Sequence, residues 1–130
     1  MKNNILFGLI LSFTISLGFL GHSQGSTNLI SPKEFEKSIH SEKNPQIVDV
    51  RTPQEFSSGH VSGAQNINWN DSDFKILISK LDTTKTVYVY CQVGGRSAPA
   101  HKELVEAGFK VKELDGGMNA WSSEERKVVK

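Results

Sequence analysis

Cysteine is the scarcest informative residue in this 130-residue chain: it occurs once, at Cys91. One thiol cannot form an internal disulfide or a cysteine-rich zinc site, and no second cysteine is present to resolve a disulfide-exchange intermediate. No cysteine lies near the N-terminus, which excludes lipid attachment there. A large charge of either sign is also missing, since the formal net charge is +1. A near-neutral chain exerts no long-range pull on nucleic acid or anionic lipid. There is no internal repeat and no low-complexity tract. The length suits one ordinary domain and not two.

The one long apolar run lies at the start. Lys2 precedes residues 5–20, which are interrupted only by Ser, Thr and Gly. Small polar residues follow, from Gly21 to Ser26. A positive start, an apolar middle and small residues near a cut describe a secretory signal. It is expected to cover residues 1–23, with cleavage near Ser23/Gln24 and export to a periplasm or the exterior. The competing reading is an uncleaved membrane anchor, and the run of about 16 residues is short of the ~20 that span a bilayer. With Lys2 removed, 14 Lys+Arg face 14 Asp+Glu. A solitary exported thiol is open to oxidation, which favours a chemical role for it.

Beyond the signal, residues 24–30 read as a flexible lead. Ser31 caps a helix that has Pro32 at its first position and buries Phe35 and Ile39. Asn44-Pro45 breaks it. Residues 46–50 read as a buried strand, 52–56 as a short helix capped by Thr52, 59–63 as a turn and 64–67 as a short strand. Residues 71–81 show helical spacing. A strand over 86–90, a helix over 97–107 stopped by Gly108, a strand over 111–114, a turn at Gly116-Gly117 and a helix over 118–125 complete the pattern. Residues 126–130 read as a solvated tail. Strands alternating with helices predict an α/β fold, a parallel sheet with helices on both faces. In such sheets sites lie at the carboxyl ends of strands, where Cys91 and Arg51 both fall.

Cys91 ends a strand and opens Gln92-Val93-Gly94-Gly95-Arg96-Ser97 into a helix. Backbone N–H groups converge in such a turn and stabilise an anion or a thiolate. A cysteine pKa of about 8.5 can fall to roughly 3.5–7.5 at a helix N-terminus. The bland alternative is a small buried hydrophobe. Gly94 and Gly95 permit close amide approach, and Arg96 adds a fork suited to oxyanions. Arg96 either binds donor anions or braces the loop by pairing with Glu55. Asp49 and Arg51 share a face; they either neutralise each other or leave Arg51 free for substrate. Ser97 reads as the helix cap rather than as a hydroxyl aimed at sulfur. His60 reads as a turn histidine bonded to backbone, not a general base. His40 and His101 look inert in exposed helix patterns, and Trp69 and Trp121 read as packing.

Three ordered blocks resemble the rhodanese-type sulfurtransferases: 48–56 with 59–67, the loop 90–97, and Gly108-Phe109 with 114–121. The resemblance covers about 29–121, within an expected domain of 31–125. It implies Cys91 as a nucleophile that carries sulfane sulfur as a persulfide from a donor, thiosulfate or an organic or protein persulfide, to a thiophilic acceptor such as cyanide or a small-molecule or protein thiol. It implies no metal or organic cofactor; the near-zero charge argues against a nucleic-acid partner, and signal cleavage against a membrane one. Gln92, Val93, Gly94, Gly95, Arg96, Ser97 and Arg51 are its substrate-binding candidates, with Asp49 and Glu55 in support. The loop from Cys91 to Arg96 has six residues. Phosphatases and arsenate reductases of related fold carry one more, so phosphate is expected to fit poorly. The loop interior lacks the cations of two-domain thiosulfate enzymes, and the chain has no room for their second domain. A non-catalytic sulfur carrier or thiol-binding module, and an inactive scaffold, are the remaining alternatives.

Overall fold

The structure is a computed structural model that describes residues 28–130. The expected signal segment and most of the lead lie outside the described residues. Five strands form one parallel sheet in the order β1-β5-β4-β2-β3. They are β1 (Leu29–Ile30), β2 (Gln46–Asp49), β3 (Gln65–Asn66), β4 (Val87–Tyr90) and β5 (Val111–Leu114). The helices are α1 (Pro32–His40), α2 (Pro53–Ser58), α3 (Phe74–Ile78), α4 (Ser97–Glu106) and α5 (Gly117–Ser123). No helix of the described residues is long and apolar enough to cross a membrane.

The central strand β4 shows why both faces are covered. Successive side chains of a strand point to opposite faces. Val87 and Val89 join Phe74 and Ile78 of α3 and Ala100 and Leu104 of α4 in one core. Tyr88 and Tyr90 join Phe35 and Ile39 of α1 and Met118 and Trp121 of α5 in the other. Phe35 meets the rings of Tyr88, Tyr90 and Trp121 edge-on, at centroid distances of 5.6, 6.4 and 6.1 Å. Each such contact adds about 0.5–1.5 kcal/mol beyond burial. Trp121 is thus packing, as expected, and Trp69 packs edge-on against Phe74.

Local signals start the helices where the sequence places them. Ser31 Oγ accepts from the Glu34 N–H at 3.2 Å. Thr52 and Glu55 form a reciprocal capping box on α2. Gly108, with φ of 95°, follows the last turn of α4.

Three segments differ from expectation. The end of the lead is not free: Leu29–Ile30 is an edge strand on β5, and Asp115 N donates to Ile30 O at 2.8 Å. The helix expected over 71–81 shortens to Phe74–Ile78. Asp71 Oδ1 draws the Asp73 N–H into a turn before it, and Leu81 N closes a tight turn on Ile78 O after it. The tail is docked through its backbone and Arg126, while Lys127, Val128 and Lys130 stay exposed as expected. Val129 and His60 exchange two backbone hydrogen bonds of 2.9 Å, Trp121 Nε1 donates to Lys127 O, and Arg126 pairs with Glu36 at 3.0 Å. The His60–Val129 and Glu36–Arg126 pairings join residues far apart in sequence and leave no local periodicity.

Candidate active site

The sheet order puts the carboxyl ends of β2, β4 and β5 side by side. Cys91 follows β4, Arg51 follows β2 and the Gly116-Gly117 turn follows β5. Everything near the sulfur is built from these three strand ends and the helices they enter.

The loop folds its amides inward. Gly94 N donates to Cys91 Sγ at 3.1 Å. Gly94 has a φ of 121°, which favours glycine, whereas Gly95 does not use this freedom. Burial pushes the Cys91 thiol up, but the Ser97 hydroxyl and the N–H groups of Ser97, Arg96 and Gly94 together bring it below its ordinary value. Cys91 is 1% exposed, so its sulfur lies buried beneath the loop. The crest is open. Val93 is 61% exposed, and nothing lies within 4 Å of the position a Cβ would take on Gly94 or Gly95.

The base of the loop is pinned by α5. Met118 N donates to Cys91 O at 2.9 Å and Asn119 N to Gln92 O at 3.0 Å. A Cβ on Gly117 would lie 2.4 Å from Cys91 O and 2.7 Å from the Gln92 carbonyl carbon, so only glycine admits this approach.

Arg51 and Gln92 are struts rather than free substrate ligands. Arg51 is 4% exposed. Its Nη2 donates to Asp49 Oδ2 and to Gly59 O, each at 2.7 Å, its Nε donates to both Asp49 oxygens, and its Nη1 donates to Gln92 Oε1 at 3.0 Å. Gln92 Nε2 in turn donates to Asn119 Oδ1. The expectation that Arg51 and the Gln92 side chain face substrate is therefore corrected. The buried Asp49 carboxylate turns the guanidinium beneath the loop, where four of its five N–H groups and the Gln92 amide are engaged.

Arg96 braces, through the partner expected of it. Its Nη1 and Nη2 meet Glu55 Oε1 and Oε2 at 2.6 and 2.9 Å. The forked contact fixes orientation as well as charge. Glu55 Oε1 also accepts from the Thr52 N–H and hydroxyl, so one carboxylate caps α2 and holds the loop. The Arg96 hydrogen bonds, opposed by burial and helped by Thr52, bring Glu55 from 4.5 to about 2. A depressed carboxylate contributes stability that is present above its unfolded pKa and lost as pH falls toward the folded one. Between pH 4.5 and about 2, thermal melts should therefore show the wild type losing its margin over Glu55→Gln. That margin should be about 1 kcal/mol near neutrality, because the pair is partly solvated. A margin independent of pH would contradict the assignment.

Ser97 departs from expectation. It is the first residue of α4, not its cap; Arg96 occupies the cap position and no side chain caps the helix. Ser97 is fully buried, and its hydroxyl lies 3.3 Å from Cys91 Sγ and 2.7 Å from Glu113 Oε2. Glu113, 5% exposed, receives His101 Nδ1 on its other oxygen at 2.9 Å. The sequence reading missed Glu113 and took His101 as inert. Two signals were present: an acid inside the strand 111–114, and a histidine four residues after Ser97, hence on the same helix face. His60 matches its reading, with Nδ1 2.9 Å from Phe56 O and its ring stacked on Phe56. Two clefts, one beside Ile39, His40 and Pro45 and the other beside Thr86, Val105 and Phe109, include no residue of the ring.

The chain and its fold have known counterparts. The chain is 38% identical over 86 residues to thiosulfate sulfurtransferase 16, chloroplastic, of Arabidopsis thaliana, a match spanning 58% of this chain and 72% of that one. It is 38% identical over 84 residues to thiosulfate sulfurtransferase GlpE of Pseudomonas aeruginosa, spanning 63% of this chain and 74% of that one. The crystal structure of a rhodanese-related protein from Thermoplasma volcanium superposes with a TM-score of 0.70 at 28% identity, covering 78% of this chain and 96% of that chain. The sequence model of the rhodanese-like domain matches residues 31–124. An inward-facing amide ring around a single cysteine at the end of the middle strand is thus set in a fold shared with these proteins, and the chain belongs to the rhodanese-like domain family.

Proposed function

We propose that this protein is a sulfurtransferase that carries sulfane sulfur on Cys91. The observation that carries the reading is the Gly94 N–H donated to Cys91 Sγ at 3.1 Å, in a loop whose hydrogen bonds favour ionisation of that sulfur. The Cys91 thiolate attacks the terminal sulfur of a donor. The donor's S–S bond breaks and its electron pair leaves with the remainder, sulfite in the case of thiosulfate. The new Cys91–S–S⁻ group keeps its charge within the amide ring, which supplies the electrostatic stabilisation. An acceptor then attacks the outer sulfur, and the pair of the Cys91–sulfur bond returns to Cys91. Cyanide becomes thiocyanate, and a thiol becomes a persulfide.

The choice of donor follows from the struts. Arg51 and Arg96 are both engaged with carboxylates, and the loop interior has no other cation. An inorganic dianion finds little counter-charge there. The exposed Val93 at the crest suits an organic persulfide or a protein donor better. Mass spectrometry of the protein incubated with glutathione persulfide should show a gain of about 32 Da on the Cys91 peptide, reversed by cyanide. Thiosulfate should load it more slowly. An adduct that cyanide and thiols leave in place would favour a non-catalytic carrier. No adduct with either donor would overturn the reading.

A further inference from the structure

We propose that Glu113, acting through Ser97, receives the proton of the Cys91 thiol, and that His101 holds the carboxylate in position to do so. The proposal rests on the reading of Cys91 as the sulfur carrier and assigns positioning residues to that site.

The geometry is a continuous chain. Ser97 has one hydroxyl proton and three neighbours: Glu113 Oε2 at 2.7 Å, Cys91 Sγ at 3.3 Å and Gly94 O at 3.4 Å. The short, charge-assisted bond takes the proton. Ser97 therefore donates to Glu113 and offers its lone pairs to the thiol, whose S–H points along the chain. Beyond Glu113, His101 Nδ1 reaches Oε1 from the next turn of α4. That contact engages one carboxylate oxygen and leaves the other facing Ser97.

Proton transfer along the chain is balanced. The S–H bond breaks, its electron pair stays on sulfur, and the proton bonds to Ser97 Oγ. The original Ser97 O–H bond breaks and that proton bonds to Glu113 Oε2. One negative charge moves from Glu113 to Cys91 and none is created. Cys91, Ser97 and Glu113 are 1%, 0% and 5% exposed. Releasing the thiol proton to bulk water would leave two anions close together in a buried site, which raises the cost of ionisation. After the transfer, Ser97 donates to sulfur instead and adds to the amide ring.

The titratable and charged surroundings are few. From α4 the chain is faced by His101, and from the loop by Cys91 and Arg96; Arg96 is backed by Glu55 of α2 and, more distantly, by Asp49 of β2. The strands flanking β5 set Leu29 and Val89 beside Glu113, neither of which titrates.

Two sites that share a proton titrate as a pair, in two macroscopic steps. The test is the rate of Cys91 alkylation by iodoacetamide across pH, on the whole protein. The wild type should rise in two limbs. Glu113→Gln should show one, with the rate between the wild type's two limbs raised about threefold or more, because no second anion then opposes the thiolate. His101→Gln should keep the lower limb and move it along the pH axis. Superimposable profiles for the wild type and Glu113→Gln would overturn the proposal. Should circular dichroism show that Glu113→Gln does not fold, an unmoved lower limb in His101→Gln overturns it. Wild-type sulfur transfer to cyanide is measured in parallel. Transfer with a single limb would sink this proposal alone, whereas two limbs without transfer would sink the sulfur-transfer reading.

Discussion

Cys91→Ser should lower sulfur transfer to cyanide by about 10³-fold or more, as loss of a covalent nucleophile does. The variant keeps a small group in the same ring. The Gly94 amide still faces that position, and the Met118 and Asn119 amides still hold the loop carbonyls. What disappears is the sulfur. A hydroxyl at that position does not ionise under conditions where a thiol in an amide ring does, and it cannot form a stable S–S bond. The buried exchange of sulfur for oxygen should cost about 1 kcal/mol of stability. Far-ultraviolet circular dichroism should therefore be unchanged, with the melting temperature only slightly lower. The decisive comparison is the cyanide assay beside the melt. Wild-type turnover by a folded serine variant would end the persulfide mechanism.

Asp49→Ala should be the most destabilising single change around the site, by about 3–5 kcal/mol, because it leaves a buried cation without its counter-charge. Arg51 is 4% exposed and Asp49 is fully buried. Asp49 takes three of the side-chain hydrogen bonds from Arg51 and one from the Arg51 backbone N–H. Without it only Gly59 O and Gln92 Oε1 remain to the guanidinium. For a domain near this size, each kcal/mol moves the melting temperature by about 4–8 °C, so a fall on the order of 15 °C or more is expected. The double variant Asp49→Ala/Arg51→Met should recover much of the loss, since a buried ion pair replaced whole by apolar groups costs little. Thermal melts of the three proteins decide it. A fall in Asp49→Ala of under about 1 kcal/mol would show that water reaches the guanidinium after all.

Legibility in the sequence followed the range of each interaction. The starts of α1 and α2 are written in four-residue caps, and β2 and β4 in apolar runs that an all-parallel sheet requires. The Glu55–Arg96 pair could be anticipated because the loop needs a brace and α2 offers a carboxylate beside it. The direction taken by Arg51 was not readable. A shared strand face with Asp49 permits both a buried pair and an outward-facing arginine, and only the arrival of Gly59 and Gln92 from other segments settles it. The Ser97–Glu113–His101 chain joins α4 to β5, whose neighbourhood depends on sheet order. The edge strand and the docked tail were missed for the same reason.

The amide anchors from α5 also bear on how this loop can change over evolutionary time. Both grip the first two loop carbonyls, and Gly117 leaves no slack beneath them. An inserted residue next to Gln92 would unseat both anchors together. An insertion among Val93, Gly94 and Gly95 would leave the anchors seated and shift the Gly94 N–H on the sulfur. Variation toward a larger bound anion therefore has one narrow window in the chain, and it lies at the crest.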